Sequence, residues 1–406
     1  MTRTLRKALA GIAMAMLASA AMPVVAQPAP AAQAEAAEHV KIGYVELDND
    51  PRYAAAGAFA GIQFYTLARP FTGAEVGLDD AQDIGRLLGI DFALEKASAD
   101  STAALTETIA GWVDDGISFV VADLPADALV ELADALAGQP VMLINVSAPD
   151  DALRGEQCRA NVLHTYPSQA MLTDALGQYL AVKNWRRALV LQGPQPDDAL
   201  MVEAFRRTAQ KFGLTIVEER QALLTNDPNA REQSNVALMT EGVDYDVVFV
   251  ADHGFEIGRY VPYQTSLPRP VVGSAGLVPE AWTWSWDQDA GAQLQHRYED
   301  KALPYRMNSG GWAAWVAVEA IGSAVVRTKN GDFDALRDYL LRERLNLDTV
   351  KGNPGSFRSW DHQLRQPLLL ATPDAVIARA PFTEFLHEVN DLDTLGVDAP
   401  ETQCSF

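Results

Sequence analysis

The sequence predicts an α/β protein of two consecutive lobes, each a doubly wound parallel sheet covered by helices. Three observations predict it. First, residues 118–150 (SFVVADLPADALVELADALAGQPVMLINVSAPD) read as strand, helix and strand, the signature of a right-handed crossover in a parallel sheet. Second, the same alternation of strand and helix restarts beyond Asp150 and runs to about residue 276. Third, residues 311–326 (GWAAWVAVEAIGSAVV) form a helix apolar on nearly all sides, which belongs deep in a core. A membrane segment is the competing reading of that run, and Glu319 and the short length speak against it.

In order, residues 40–47 are the first strand. Residues 48–70 show no clear periodicity, and Tyr53, Phe64 and Tyr65 within them form either a lid or a cover for the sheet edge. A helix opens at Phe71-Thr72-Gly73-Ala74 and ends at Gly89, the residue type that stops helices in the left-handed conformation. A strand follows at 91–96, then a helix at 102–115 with Leu105, Ile109 and Val113 at helical spacing. In the central unit 118–122 is a strand, an apolar face from Leu129 to Leu136 marks a helix, Gly138 and Pro140 stop it, and 141–146 is the next strand. The second lobe reads as strand 160–164, helix 169–182, strand 187–192, helix 197–212, strand 214–219, a weaker helix 231–240, strand 246–251 and strand 269–272. After the apolar helix, 334–344 is helical, and 356–370 alternates and then turns apolar as a hairpin does.

The amino terminus reads as a signal peptide over residues 1–26, with Arg3, Arg6 and Lys7 ahead of a small apolar run and Val24-Val25-Ala26 as the cleavage site. A retained anchor is the alternative, and the run is short for a membrane helix. Residues 27–39 are an Ala/Pro/Gln-rich leader expected to be disordered. Cleavage removes three basic side chains and no acidic one, leaving 29 basic against 54 acidic groups, a net charge of −25. That balance argues against nucleic acid and anionic membrane as partners, and no membrane insertion of the mature chain is expected. The two cysteines, Cys158 and Cys404, are expected to pair in an oxidising compartment, two free thiols being the alternative. No metal ion and no cofactor are expected, since the six histidines do not cluster with either cysteine.

Taken together, the order of these segments resembles type I periplasmic ligand-binding proteins of ABC transporters, the leucine/isoleucine/valine-binding branch. The segments that carry it are VKIGYVEL, FTGAEVGLDDA, DGISFVVADL, PVMLINVSAP, ALVLQG, DVVFVAD, GGWAAWVAVEAIGSAV and SFRSWDHQLRQPLLL, spanning roughly residues 40–370. RSWDHQLRQP, LHEVNDLDTLGVDAPETQC and the long segment after the first strand look closer still to the subfamily associated with PQQ-dependent alcohol dehydrogenase systems. The resemblance implies two lobes joined by three chain crossings, with 40–149 and 277–350 in the first, 150–276 and 351–390 in the second, and 391–406 as a tail. It implies a periplasmic, monomeric receptor that closes on a small molecule by hinge motion and works with an ABC permease, importing or exporting. It does not imply that this chain binds the quinone.

Ligands of such sheets sit beyond the carboxyl ends of the strands, which yields the candidate contacts. Asp123 either faces the cleft, where it would repel a carboxylate and favour a neutral or cationic ligand, or caps its own helix. Asn145 and Ser147 match the family's second ligand-contacting turn, or satisfy their own backbone. Asp252, His253 and Glu256 follow the strongest second-lobe strand, and Ser274 the last one. Trp282, in the Trp282/Trp284/Trp286 alternation, either walls the cleft or packs between lobes. Gly-x-Ser-x-Gly, phosphate-loop, dinucleotide and His-Glu-x-x-His motifs are absent, so no catalytic residue is expected. A ligand-sensing module for a regulator and an exported hydrolase with scattered catalytic residues are the alternatives.

Overall fold

The computed structural model describes residues 38–53, 67–223, 229, 231–342 and 345–406. The signal peptide, most of the leader, Phe64 and Tyr65 lie outside the described residues.

The first lobe contains β1 (Glu38–Leu47), α1 (Phe71–Leu88), β2 (Ile90–Ala99), α2 (Thr102–Asp114), β3 (Phe119–Asp123), α3 (Ala126–Ala135), β4 (Met142–Asn145) and β5 (Val162–His164). Its five strands are all parallel, in the order β2-β1-β3-β4-β5. Alternation along β1 feeds two cores: Ile42 and Tyr44 join the face covered by α1, while Val45 joins the face covered by α2 and α3. Burial on both faces explains why β3 and β4 read as unbroken apolar runs.

The second lobe contains α4 (Gln169–Val182), β6 (Arg187–Gln192), α5 (Pro196–Phe212), β7 (Thr215–Gln221), the short α6 (Arg231–Ser234) and α7 (Val236–Met239), β8 (Val247–Ala251), α8 (Val261–Gln264) and β9 (Val271–Gly273). Its sheet is also parallel, in the order β7-β6-β8-β9. The helix expected over 231–240 is broken at Asn235, whose side chain accepts from the Leu238 N–H and restarts the chain as α7.

The chain then forms β10 (Val278–Glu280), α9 (Gly291–Ala302), α10 (Ser309–Thr328), α11 (Phe333–Leu340), β11 (Leu368–Thr372) and β12 (Ala375–Ala380). β10, β11 and β12 make a small antiparallel sheet. Among the described residues, α10 is the one helix long and apolar enough to cross a membrane, and it is buried in the first-lobe core. It lies against α1 through glycine: a Cβ on Gly73 would collide with the Gly311 carbonyl, and one on Gly77 with Val318 and the Trp315 carbonyl. The Thr-Gly-Ala-Glu-Val-Gly start of α1 is therefore a packing surface shaped for α10.

Two features depart from the sequence expectation. The strand near 160–164, assigned there to the second lobe, pairs with β4 and completes the first sheet. Three residues of strand show no preference for either sheet, and only the docking of their neighbours decides. The hairpin expected over 356–370 is shorter: Phe357 stands opposite Leu364, and Leu368–Thr372 forms β11 between β10 and β12 instead. The hairpin adds to the outer edge of β5 through the His164 N–H to the His362 carbonyl and the Leu364 N–H to the His164 carbonyl. Cys158 and Cys404 form a disulfide with Cα atoms 5.8 Å apart, fastening the tail to the loop before β5.

Candidate ligand-binding site

The first sheet reverses its strand order between β1 and β3, and such a switch point opens a crevice at the carboxyl ends of the strands. Glu46 and Asp123 stand there as direct partners in the ladder. The N-cap of α3 is Pro125, which makes no side-chain cap, so Asp123 does not cap that helix. Its carboxylate, fully buried, instead accepts from the Tyr53 hydroxyl at 2.8 Å and from Arg52 Nη2 at 3.2 Å. Arg69 Nη1 lies 3.7 Å from its other oxygen.

Arg52 organises this end of the lobe. Its guanidinium grips Asp50 through Nε at 3.0 Å and Nη2 at 2.6 Å, and Nη1 donates to the Ser147 hydroxyl at 3.0 Å. One side chain thus ties the chain after β1 to the turns after β3 and β4. Burial works against the Arg52 charge, but Asp50 and Asp123 outweigh it and raise its pKa. Burial pushes the Asp123 carboxyl up, with Arg52, Ser147 and Tyr53 pulling the other way. Arg69 stacks over the Tyr53 ring at 4.4 Å, which gives Tyr53 a place in the site.

Asn145 is turned inward. Its carbonyl oxygen accepts from the Ser147 and Ala148 N–H groups, and its amide donates to the Ala148 carbonyl and meets His164 Nδ1. All its polar atoms are spent on its own turn and on β5. Of the first-lobe candidates, the structure brings Asp123 and Ser147 together and leaves Asn145 as their support.

In the second lobe the switch point falls between β6 and β8. Asp198, at the start of α5, is buried and accepts from the Gln195 N–H, from the His253 N–H at 2.7 Å and from His253 Nδ1 at 2.9 Å. His253 is partly exposed, and the pairing with Asp198 orients its ring. Asp252 is absorbed by its own turn, accepting from the Ile257 and Gly258 N–H groups. Ser274 accepts from the Asp252 N–H and donates to the Val250 carbonyl, closing the β8 and β9 ends together. Glu256 is half-buried on that turn. Trp282 lies in the first-lobe core with its indole N–H on Gln295, and Trp286 beside it donates to the Val350 carbonyl. Trp284 is half-buried, stacked by Arg306 at 3.7 Å.

Charged groups missed in the sequence carry much of the site: Glu46, Asp50, Arg52, Arg69 and Asp198. The signal available was position. Asp50 and Arg52 fall immediately after the first strand, in the aperiodic segment at the end where ligands bind. Nothing in the sequence says that Arg69 returns to the same point.

Between the lobes, Arg154 is fully buried. It donates to Gln363 Oε1 and to the carbonyls of Ala148, Asp150 and Tyr166. Burial pushes the Asp150 carboxyl up, with Arg154, which holds the Asp150 carbonyl, pulling the other way.

Two parallel sheets, each with polar groups at the carboxyl ends of its strands, define a doubly wound α/β architecture. The comparisons give it a more particular form. Residues 66–256 match the family described as periplasmic binding protein. A periplasmic binding protein from Burkholderia mallei superimposes with a TM-score of 0.62 at 16% identity, covering 91% of this chain and 99% of that one. A branched-chain amino acid ABC transporter periplasmic ligand-binding protein from Burkholderia xenovorans gives 0.66 at 16%, covering 84% and 95%. An ABC transporter solute-binding protein from R. palustris in complex with benzoate gives 0.61 at 13%, covering 91% and 100%. No curated protein matches the chain in sequence. The fold is that of the type I periplasmic binding proteins.

Proposed function

We propose that this chain is the periplasmic substrate-binding component of an ABC transporter, holding one small organic molecule between its lobes and releasing it unchanged to a permease. The observation that carries this is that the Arg52–Asp123–Ser147 cluster and the Asp198–His253 pair each stand at the switch point of a parallel sheet. The amino-terminal signal peptide supports export, and a monomer with closing lobes suits delivery to a permease. Likeness of RSWDHQLRQP and the tail to the subfamily that accompanies PQQ-dependent alcohol dehydrogenases supports a ligand from alcohol oxidation.

Asp123 does not present a bare negative charge in this arrangement, because Arg52 and Arg69 stand against it. The reason for rejecting an acidic ligand on Asp123 alone therefore falls away, and the whole cluster sets the preference. The test is a thermal-shift screen of the mature chain with short alcohols, their aldehydes and acids, amino acids and free quinone. A ligand at a hundred times its dissociation constant adds about 2.7 kcal/mol of stability. A shift without turnover is the expected result; turnover of an ester or amide by the purified protein would make it an enzyme instead.

A further inference from the structure

We infer that the β1/β3 switch point is a recognition subsite for an uncharged hydroxyl group of the ligand, formed by Tyr44, Glu46, Arg69 and Asp123. This deepens the receptor function proposed above and rests on it.

Three of these residues satisfy one end of the head group within the protein and leave the other end unmatched. Glu46 Oε1 takes Lys96 Nζ at 2.9 Å and the Ser98 hydroxyl at 3.0 Å. Asp123 Oδ1 takes Arg52 and Tyr53. Arg69 Nη2 donates to the Leu47 carbonyl at 2.8 Å. Among the described residues, Glu46 Oε2, Asp123 Oδ2, Arg69 Nη1 and the Tyr44 phenol oxygen are buried without a hydrogen-bond partner. Tyr44 is wholly buried, and the charges of Asp123 and Glu46 act on its phenol. Such groups are costly to leave unmade; those of Glu46, Arg69 and Asp123 meet at the β1/β3 switch point, and Tyr44 stands two residues before Glu46 on β1.

The distances let the three atoms share one oxygen seated beside them once Arg69 shifts to make room. Arg69 Nη1 is 3.6 Å from Glu46 Oε2 and 3.7 Å from Asp123 Oδ2, beyond direct hydrogen bonding. A hydroxyl oxygen seated beside them accepts from Arg69 and donates to one carboxylate, which leaves its second lone pair for the Tyr44 O–H. Burial, with Asp123 and Glu46 nearby, raises the Tyr44 pKa, so the phenol keeps its proton and donates.

Charge selects against the ionised alternatives. Glu46, Asp50 and Asp123 are balanced by Arg52, Arg69 and Lys96. A ligand carboxylate would bring a further negative charge against Glu46 and Asp123. An ammonium would bring a further positive charge against Arg69 and Lys96. A neutral donor–acceptor group meets neither penalty.

The experiment is calorimetric titration of wild type and Tyr44→Phe with two matched series: butan-1-ol, butanoate and butan-1-amine, and benzyl alcohol, benzoate and benzylamine. Any ligand found in the thermal-shift screen is titrated alongside. Wild type is expected to favour the alcohol of each series. Tyr44→Phe is expected to keep its melting temperature and to weaken alcohol binding about tenfold, the loss of one hydrogen bond. Preference for the acid or the amine, failure of both alcohols to bind, or equal affinity in the two proteins overturns the subsite. So does a marked fall in the variant's melting temperature, since the phenol would then serve the fold. Crystals soaked in benzyl alcohol give a second readout, with the hydroxyl expected within hydrogen-bond distance of Arg69 Nη1 and occupancy elsewhere counting against it. A cleft ligand that binds both proteins equally sinks the subsite and leaves the receptor standing; absence of any ligand across the whole screen sinks the receptor.

Discussion

Replacing Asp393 with alanine removes a carboxylate shared by two buried guanidiniums. Asp393 Oδ1 accepts from Arg358 Nε at 2.9 Å and from Arg365 Nε at 2.8 Å, and all three side chains are buried. Breaking a buried ion pair from one side typically costs about 3–5 kcal/mol, because the remaining charge stays out of water uncompensated. Arg358 would keep the Leu392 and Leu395 carbonyls and the more distant Asp361, and Arg365 would keep the Ser356 hydroxyl. These partners soften the loss, so a value near the lower end, about 3 kcal/mol, is expected. Asp393→Asn retains an acceptor but not the charge and should lose less. Urea unfolding followed by tryptophan fluorescence reads the difference directly, and Trp360, beside both guanidiniums, reports the site locally. A loss below about 1 kcal/mol, the range of an exposed pair, would refute the reading of Arg358, Arg365 and Asp393 as a buried ion-pair network.

Three further outcomes are expected. Burial pushes the Glu319 carboxyl up to about 7 from 4.5, so the folded state holds that proton more tightly than the unfolded chain and stability falls as pH rises from about 4.5 to 7. Glu319→Gln should therefore stabilise the protein at pH 8, by at most about 3 kcal/mol, with the gain vanishing near pH 4; equal melting-temperature differences at both values would contradict it. Arg52→Ala strips the guanidinium from Asp50 and Asp123 together, and about 3–5 kcal/mol should be lost at pH 8. Less should be lost at pH 5.5, where a carboxyl already pushed up can take a proton; a pH-independent loss in paired urea titrations would contradict this. The disulfide closes a separation of 246 residues, and Cys404→Ser should cost about 3–5 kcal/mol. Differential scanning calorimetry measures it, and two freely alkylated thiols in the untreated protein would rule the bridge out.

Much of the architecture was legible before any coordinates. Helices 169–182 and strand 187–192 fall where periodicity put them, because a stripe of apolar residues at helical spacing and a short β-branched run are local properties. The same holds for the stop at Gly89, whose φ of 74° is left-handed. The lobe membership of β5 was not legible, since it depends on which sheet edge is free when the chain arrives. Nor was the first-lobe site. Asp123 and Ser147 could be named from their positions after apolar strands, but their partner Arg52 stands 71 and 95 residues earlier in a segment with no pattern.

By itself, the sequence determined the alternation of strands and helices and the acidic charge of the chain, since each follows from local spacing or composition. Only the tertiary structure decided the electrostatics of the cleft. A buried carboxylate acts as a bare charge, a helix cap or one arm of an ion pair according to what is brought within about 4 Å of it in a medium of low dielectric. Here the chain brings Arg52 and Arg69 to Asp123, and Asp198 to His253. Those meetings arise from the winding of the sheets and from where Arg52 and Arg69 come to lie at the strand ends, which no local pattern encodes.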